Sequence, residues 1–67
     1  MTIEEAKKHI NQMVNYQGAP DLYKLTACIL RKNKQGYYYS AEIKDTKNGN
    51  SVLIVSLDDI SSVDVTI

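Results

Sequence analysis

Polar and apolar residues alternate along this chain with two different periods. Ile3, Ala6, Ile10, Met13 and Val14 recur every three or four positions, with Lys7, Lys8, Asn11 and Gln12 largely off the stripe. That is the spacing of an amphipathic helix with one face against a core. Thr2 and Glu5 stand three apart as a capping box at its start, and Glu4 and Glu5 lie where the helix dipole favours negative charge. Gly18 and Pro20 supply a stop. The pattern predicts a helix over residues 2–16.

From Leu22 the period falls to two. Tyr23, Leu25, Ala27 and Ile29 alternate with Lys24, Thr26, Cys28 and Leu30, predicting a strand over residues 22–32. Asn33-Lys34-Gln35-Gly36 is a polar turn, residues 37–45 read as an aromatic-rich second strand, and the two make a hairpin. Asn48-Gly49 is a further hairpin signal leading into residues 51–57, which are apolar on both faces. A strand of that kind is expected in the middle of a sheet or in a barrel wall. After a turn at residues 58–62, Val63, Val65 and Ile67 alternate with Asp64 and Thr66, predicting a fourth strand at an edge spanning residues 62–67. The expected fold class is α+β: an N-terminal amphipathic helix followed by a three- to four-stranded antiparallel meander, one small domain over residues 1–67. Either the helix covers one face of an open sheet or the sheet curls into a small SH3-like barrel.

A chain of 67 residues hides only about 60% of its unfolded surface on folding, so the source of its stability becomes a question. Cys28 is the only cysteine, which excludes an intramolecular disulfide, and with one histidine, His9, the chain falls short of the usual zinc ligand sets. Packing or self-association remains. Eight Lys and Arg balance eight Asp and Glu, so no global positive field announces a nucleic-acid partner. The charges are nevertheless unevenly placed: Lys24, Arg31, Lys32, Lys34, Lys44 and Lys47 face only Glu42 and Asp45, whereas Asp58, Asp59 and Asp64 come without a base. The charged N-terminus and the lack of an apolar run of about 20 residues predict neither a signal peptide nor a membrane span, and a cytoplasmic protein is expected.

Candidate chemistry is sparse. His9 reads as a surface histidine, Cys28 as a small buried hydrophobe, and Asp58 and Asp59 as turn-forming and capping residues, while no Gly-rich string suggests a phosphate cradle. No catalytic residue, cofactor, metal or small-molecule substrate is expected. One local feature calls for explanation: Arg31, Lys32 and Lys34 run straight into Tyr37, Tyr38 and Tyr39. Tyrosine and arginine are enriched at protein interfaces, and tyrosines beside cations also stack bases and hold phosphates. These six residues are the candidate partner-binding set.

The stretch from Gln35 to Lys44 followed by Asn50-Ser51-Val52-Leu53, with a helix before it and Asp59-Ile60-Ser61-Ser62-Val63 after it, resembles the Sm-like RNA-binding barrels in order of elements. That family's second-strand glycine falls near Ala41 and its acidic position near Lys47, with Asn50 alone matching. The opening Thr2-Ile3-Glu4-Glu5-Ala6 and the later Tyr37 to Ile43 stretch also resemble PepSY-type domains, which are mostly extracytoplasmic or membrane-linked. Neither resemblance implies functional residues here. The expected function is a small non-enzymatic protein-interaction module, self-associating as a homo-oligomer or docking a partner protein through its sheet. The alternatives are a nucleic-acid-binding small barrel using the basic turn and tyrosine cluster, and a small regulator or inhibitor of a larger enzyme.

Overall fold

A computed structural model describes residues 1–47 and 49–63. It is mostly β: one short helix, α1 (Ile3–Lys8), then β1 (Met13–Tyr16), β2 (Leu22–Asn33), β3 (Gly36–Asp45), β4 (Ser51–Ser56), a 3-10 turn (Leu57–Asp59) and β5 (Ile60–Ser62). The five strands form one open antiparallel sheet in the order β4-β3-β2-β1-β5. The predicted strand at residues 62–67 begins two residues earlier, as β5, and its residues 64–67 lie outside the described residues.

The helix starts where the sequence predicts. Thr2 Oγ1 accepts from the Glu5 amide at 3.2 Å, and the Thr2 amide donates to Glu5 Oε1 at 3.3 Å. It ends much sooner. His9 caps it, and Asn11 adopts a left-handed φ of 69°, a conformation that asparagine tolerates better than most residues. The Asn11 amide then donates to the Leu25 carbonyl at 2.7 Å and the Leu25 amide to the Gln12 carbonyl at 2.9 Å, which draws the chain onto β2. Residues 13–16 therefore form a strand, with Val14 buried and Met13 exposed. Spacings of three and four between Ile10, Met13 and Val14 suit a helix, but Val14 and Tyr16 also fit a period of two, and tertiary pairing decides the matter.

A β-bulge at Thr26 changes the facing of β2. Leu25 pairs with Ile43, yet Ala27 pairs with Glu42 and Cys28 with Ala41, so the register shifts by one between Leu25 and Ala27. The expected grouping of Ala27 and Ile29 with Tyr23 and Leu25 is thereby overturned: a bulged residue transposes all that follow it. Thr26 Oγ1 lies 3.1 Å from the Glu42 carbonyl and 2.9 Å from Glu42 Oε2, so its hydroxyl proton is held by β3 at the bulge. The inner face then carries Val14, Leu25, Ala41 and Ile43, which with Ala6, Leu57 and Ile60 are buried as the core. Tyr16 and Tyr23 extend it, their rings meeting edge to face at 5.6 Å.

The sheet is sharply coiled. Through its partners, Ser56 is level with Ile29 on β2, and Ser61 with Leu22. A flat sheet would set these two serines about 28 Å apart, from four strand spacings of about 4.8 Å and six rises of about 3.3 Å once the bulge is allowed for. The five-residue step from Ser56 to Ser61 reaches at most about 18 Å. The edges therefore swing toward one another, bridged by the 3-10 turn. The Met1 ammonium donates to the carbonyls of Leu57 and Ile60 at 2.9 and 3.1 Å, tying the start of the chain to this bridge.

Candidate interaction surfaces

The six sequence-selected residues come together on one feature. β1 pairs with β2 only at Leu22 to Lys24, and β4 with β3 only from Ser40 to Asp45. Beyond these limits β2 and β3 pair only with each other, so residues 29–39 form a two-stranded ribbon extending from the body. The molecule's longest dimension, 40 Å, equals the length of twelve extended residues, which is the span of β2. A two-residue turn, Lys34-Gln35, closes the ribbon, with the Gln35 amide donating to Asn33 Oδ1 at 2.8 Å and Gly36 taking a φ of 124°.

Register assigns the ribbon's side chains to faces. Leu30 lies opposite Tyr39 and Lys32 opposite Tyr37, sharing one face, while Arg31 lies opposite Tyr38 on the other. Lys32 Nζ stands 5.4 Å from the Tyr37 ring centroid, within the range of a cation–π contact. All three tyrosines are accessible, at 70% for Tyr37, 43% for Tyr38 and 42% for Tyr39, as is Leu30 at 57%. No aspartate or glutamate occurs between Lys24 and Glu42, so the ribbon's charge is wholly positive. Two of the other bases are differently placed. Lys47 pairs with Asp21 at 3.1 Å across an exposed turn, and Lys44 lies opposite Lys24 on the outer face of the sheet.

The second surface departs from the sequence expectation. Residues 51–57, expected in the middle of a sheet or in a barrel wall, supply the edge strand β4 of an open sheet. The chain leaves β4 through the 3-10 turn to pair with β1, so nothing among the described residues covers the far side of β4. Val52 is 51% exposed, Leu53 38% and Ile54 47%, and the strand carries no charge. Its doubly apolar character was the available signal, since it implies an additional cover.

The remaining candidate groups make local contacts. The His9 ring nitrogen Nδ1 contacts the Glu5 carbonyl at 2.6 Å at the helix end. Cys28 packs against the core, where burial pushes its thiol up from the ordinary value. The Asp58 amide donates to Ser56 Oγ at 3.2 Å, and the Asp59 carbonyl accepts from the Gln17 amide at 2.8 Å. These two acids line an open cleft of about 400 Å³ with Tyr16, Gly18 and Ser61. Among the described residues no three His, Cys, Asp or Glu side chains are grouped to hold a metal ion, and no helix is long and apolar enough to cross a membrane. No family model, curated protein or solved structure matches the chain.

Proposed function

We propose that this protein is a small interaction module whose β4 edge accepts a strand from another chain, and that the occupant is a second copy of itself. The observation that carries this is β4: six uncharged residues, three of them β-branched, at an edge that no described residue covers, with Val52, Leu53 and Ile54 substantially exposed. Natural edge strands are usually blunted by charge, proline or a bulge, and one without these devices is a template for pairing. The curved sheet is then an incomplete barrel wall that a neighbour extends.

Symmetry favours one register. Two β4 strands related by a two-fold axis normal to the sheet pair residues of equal parity, and centring the axis on Leu53 sets Val52 opposite Ile54 of the second copy. On the outer face, Lys24, Lys44 and Val52 lie in one row and Ala27, Glu42 and Ile54 in the next. The Leu53-centred register continues each basic row into the acidic row of the other copy. Centring on Ile54 would instead align Glu42 with its own symmetry mate. Lys44 and Glu42 of the second copy would stand three strand spacings, about 14 Å, apart, beyond the Debye length of about 8 Å at physiological salt. At physiological salt these charges are largely screened, so apolar contact supplies the affinity and the charges favour the Leu53-centred register only at low salt.

Sedimentation equilibrium from micromolar to millimolar concentration, with amide exchange read over β4, tests this. Dimer formation accompanied by concentration-dependent protection of residues 51–56 is the expected result. A monomer throughout, with unchanged β4 exchange, would refute self-association; protection elsewhere with β4 unchanged would refute this edge.

A further inference from the structure

We infer that the β2–β3 ribbon is a binding site for single-stranded nucleic acid, independent of the β4 edge. The ribbon begins where β4 ends, since Ser40 is the last residue of β3 that pairs with β4, so pairing at that edge leaves it free. Three observations converge on this ligand. An isolated two-stranded ribbon gains little stability from its own packing, yet this one presents three accessible tyrosines and Leu30 to solvent on an arm outside the core. Its charge is exclusively positive within a chain of net charge zero, and Arg31, Lys32 and Lys34 stand within four residues at its tip. Cations and rings alternate by register, with Lys32 against Tyr37 on one face and Arg31 opposite Tyr38 on the other.

A polyanion whose repeating unit carries a planar ring satisfies both halves of that arrangement. Bases stack on tyrosine faces without regard to sequence, and the cations follow the backbone. Positive charge alone would equally suit an acidic polypeptide, but an acidic polypeptide does not bring a planar ring with every charge to Tyr37 and Tyr39, which share a face with Leu30 and Lys32. The rigid, already stacked bases of a duplex cannot reach them either. The expected site is therefore short, salt-sensitive and tolerant of base sequence.

Salt dependence gives a number to test. Three phosphate contacts on a single strand release counterions with a slope of log K against log salt of roughly −0.7 each, or about −2 in total. Affinity should then fall about 20-fold between 50 and 200 mM salt by the same relation. Labelled twelve-nucleotide oligo(dT) and oligo(U) would be titrated with the full chain by fluorescence anisotropy, with a duplex of equal length and oligo-glutamate as competitors. Amide spectra would locate the bound strand. Binding with that slope, shifts confined to residues 29–39, and loss on replacing Arg31, Lys32 and Lys34 together by Ser supports the site. Tyr38→Ser and Tyr37→Ser, both at exposed positions, should each weaken binding several-fold without altering the slope. A preference between oligo(dT) and oligo(U) assigns the strand as DNA or RNA, and either supports the proposal. No binding at 50 mM salt would overturn it, as would affinity unchanged by the triple replacement, or duplex or oligo-glutamate competing as well as the single strand. Retained dispersion of core amides separates loss of binding from loss of fold.

Discussion

Ile54→Lys gives the sharpest test of the β4 edge. Ile54 is 47% exposed and lies opposite Glu42 of β3 on the outer face. Burying an isoleucine fully contributes about 1.5–3 kcal/mol, so covering the exposed half contributes about 1 kcal/mol per copy. The two-fold axis repeats every substitution, which doubles the loss to about 2 kcal/mol and raises the dissociation constant about 30-fold. Within the monomer the lysine stem can still lie along the sheet, and its ammonium comes opposite the Glu42 carboxylate as a cross-strand pair. Folding should therefore change by no more than about 1 kcal/mol. Sedimentation equilibrium of the variant beside Met13→Gln, also on the outer face but on β1, separates a local effect from a general one. A dissociation constant that moves less than threefold for Ile54→Lys, or equally for both variants, would refute pairing through β4.

Three other outcomes follow from the interior and the caps. Leu25 is wholly buried and pairs with Ile43, so Leu25→Ala should remove about 2–5 kcal/mol, most of what so small a core provides. Urea titration followed by circular dichroism would show it, and a loss below about 1 kcal/mol would contradict the placement of the core. Gly36 holds a φ of 124° that side chains rarely adopt, so Gly36→Ala should cost about 1–3 kcal/mol and speed amide exchange first in residues 30–39. Hydrogen bonds from the Thr2 backbone and then its side chain hold the Glu5 carboxyl below its ordinary value. A lowered folded value means the capping contribution is complete above the ordinary carboxylate range and disappears as pH falls through the lowered one. Carboxyl-detected NMR titration should read Glu5 low in the native chain and nearer its ordinary value in Thr2→Ala.

Much of the fold was legible because it is local. Strict alternation from Leu22 and the Asn33 to Gly36 turn gave the β2–β3 hairpin nearly to its ends, and Thr2 with Glu5 gave the start of α1. The failures are all non-local. Val14 is drawn into a strand by pairing with Tyr23 and Ser62, and the second of these lies far outside any window around residue 14. Thr26 is a bulge only because β3 offers Glu42 to both its hydroxyl and its neighbour Ala27. β4 sits at an edge because residues 60–62 cross over to β1, a choice made outside β4 itself. The tyrosines and bases of the ribbon were visible as a run. That the run projects beyond its neighbouring strands depends on how short β1 and β4 are.

The bridge between β4 and β5 also dictates an order of assembly. The β2–β3 hairpin closes over two residues and can form as soon as it is made. By contrast, the Asn15 side chain reaches Ser62 across 47 positions and the Met1 ammonium reaches Ile60 across 59. Contacts of such separation come late, because loop closure has to precede any gain. During synthesis α1 and β1 therefore wait, with one strand edge unpartnered, until residues 57–62 arrive. What waits is the outer edge of β1 and the Met1 contact, since β1 already has β2 on its other side.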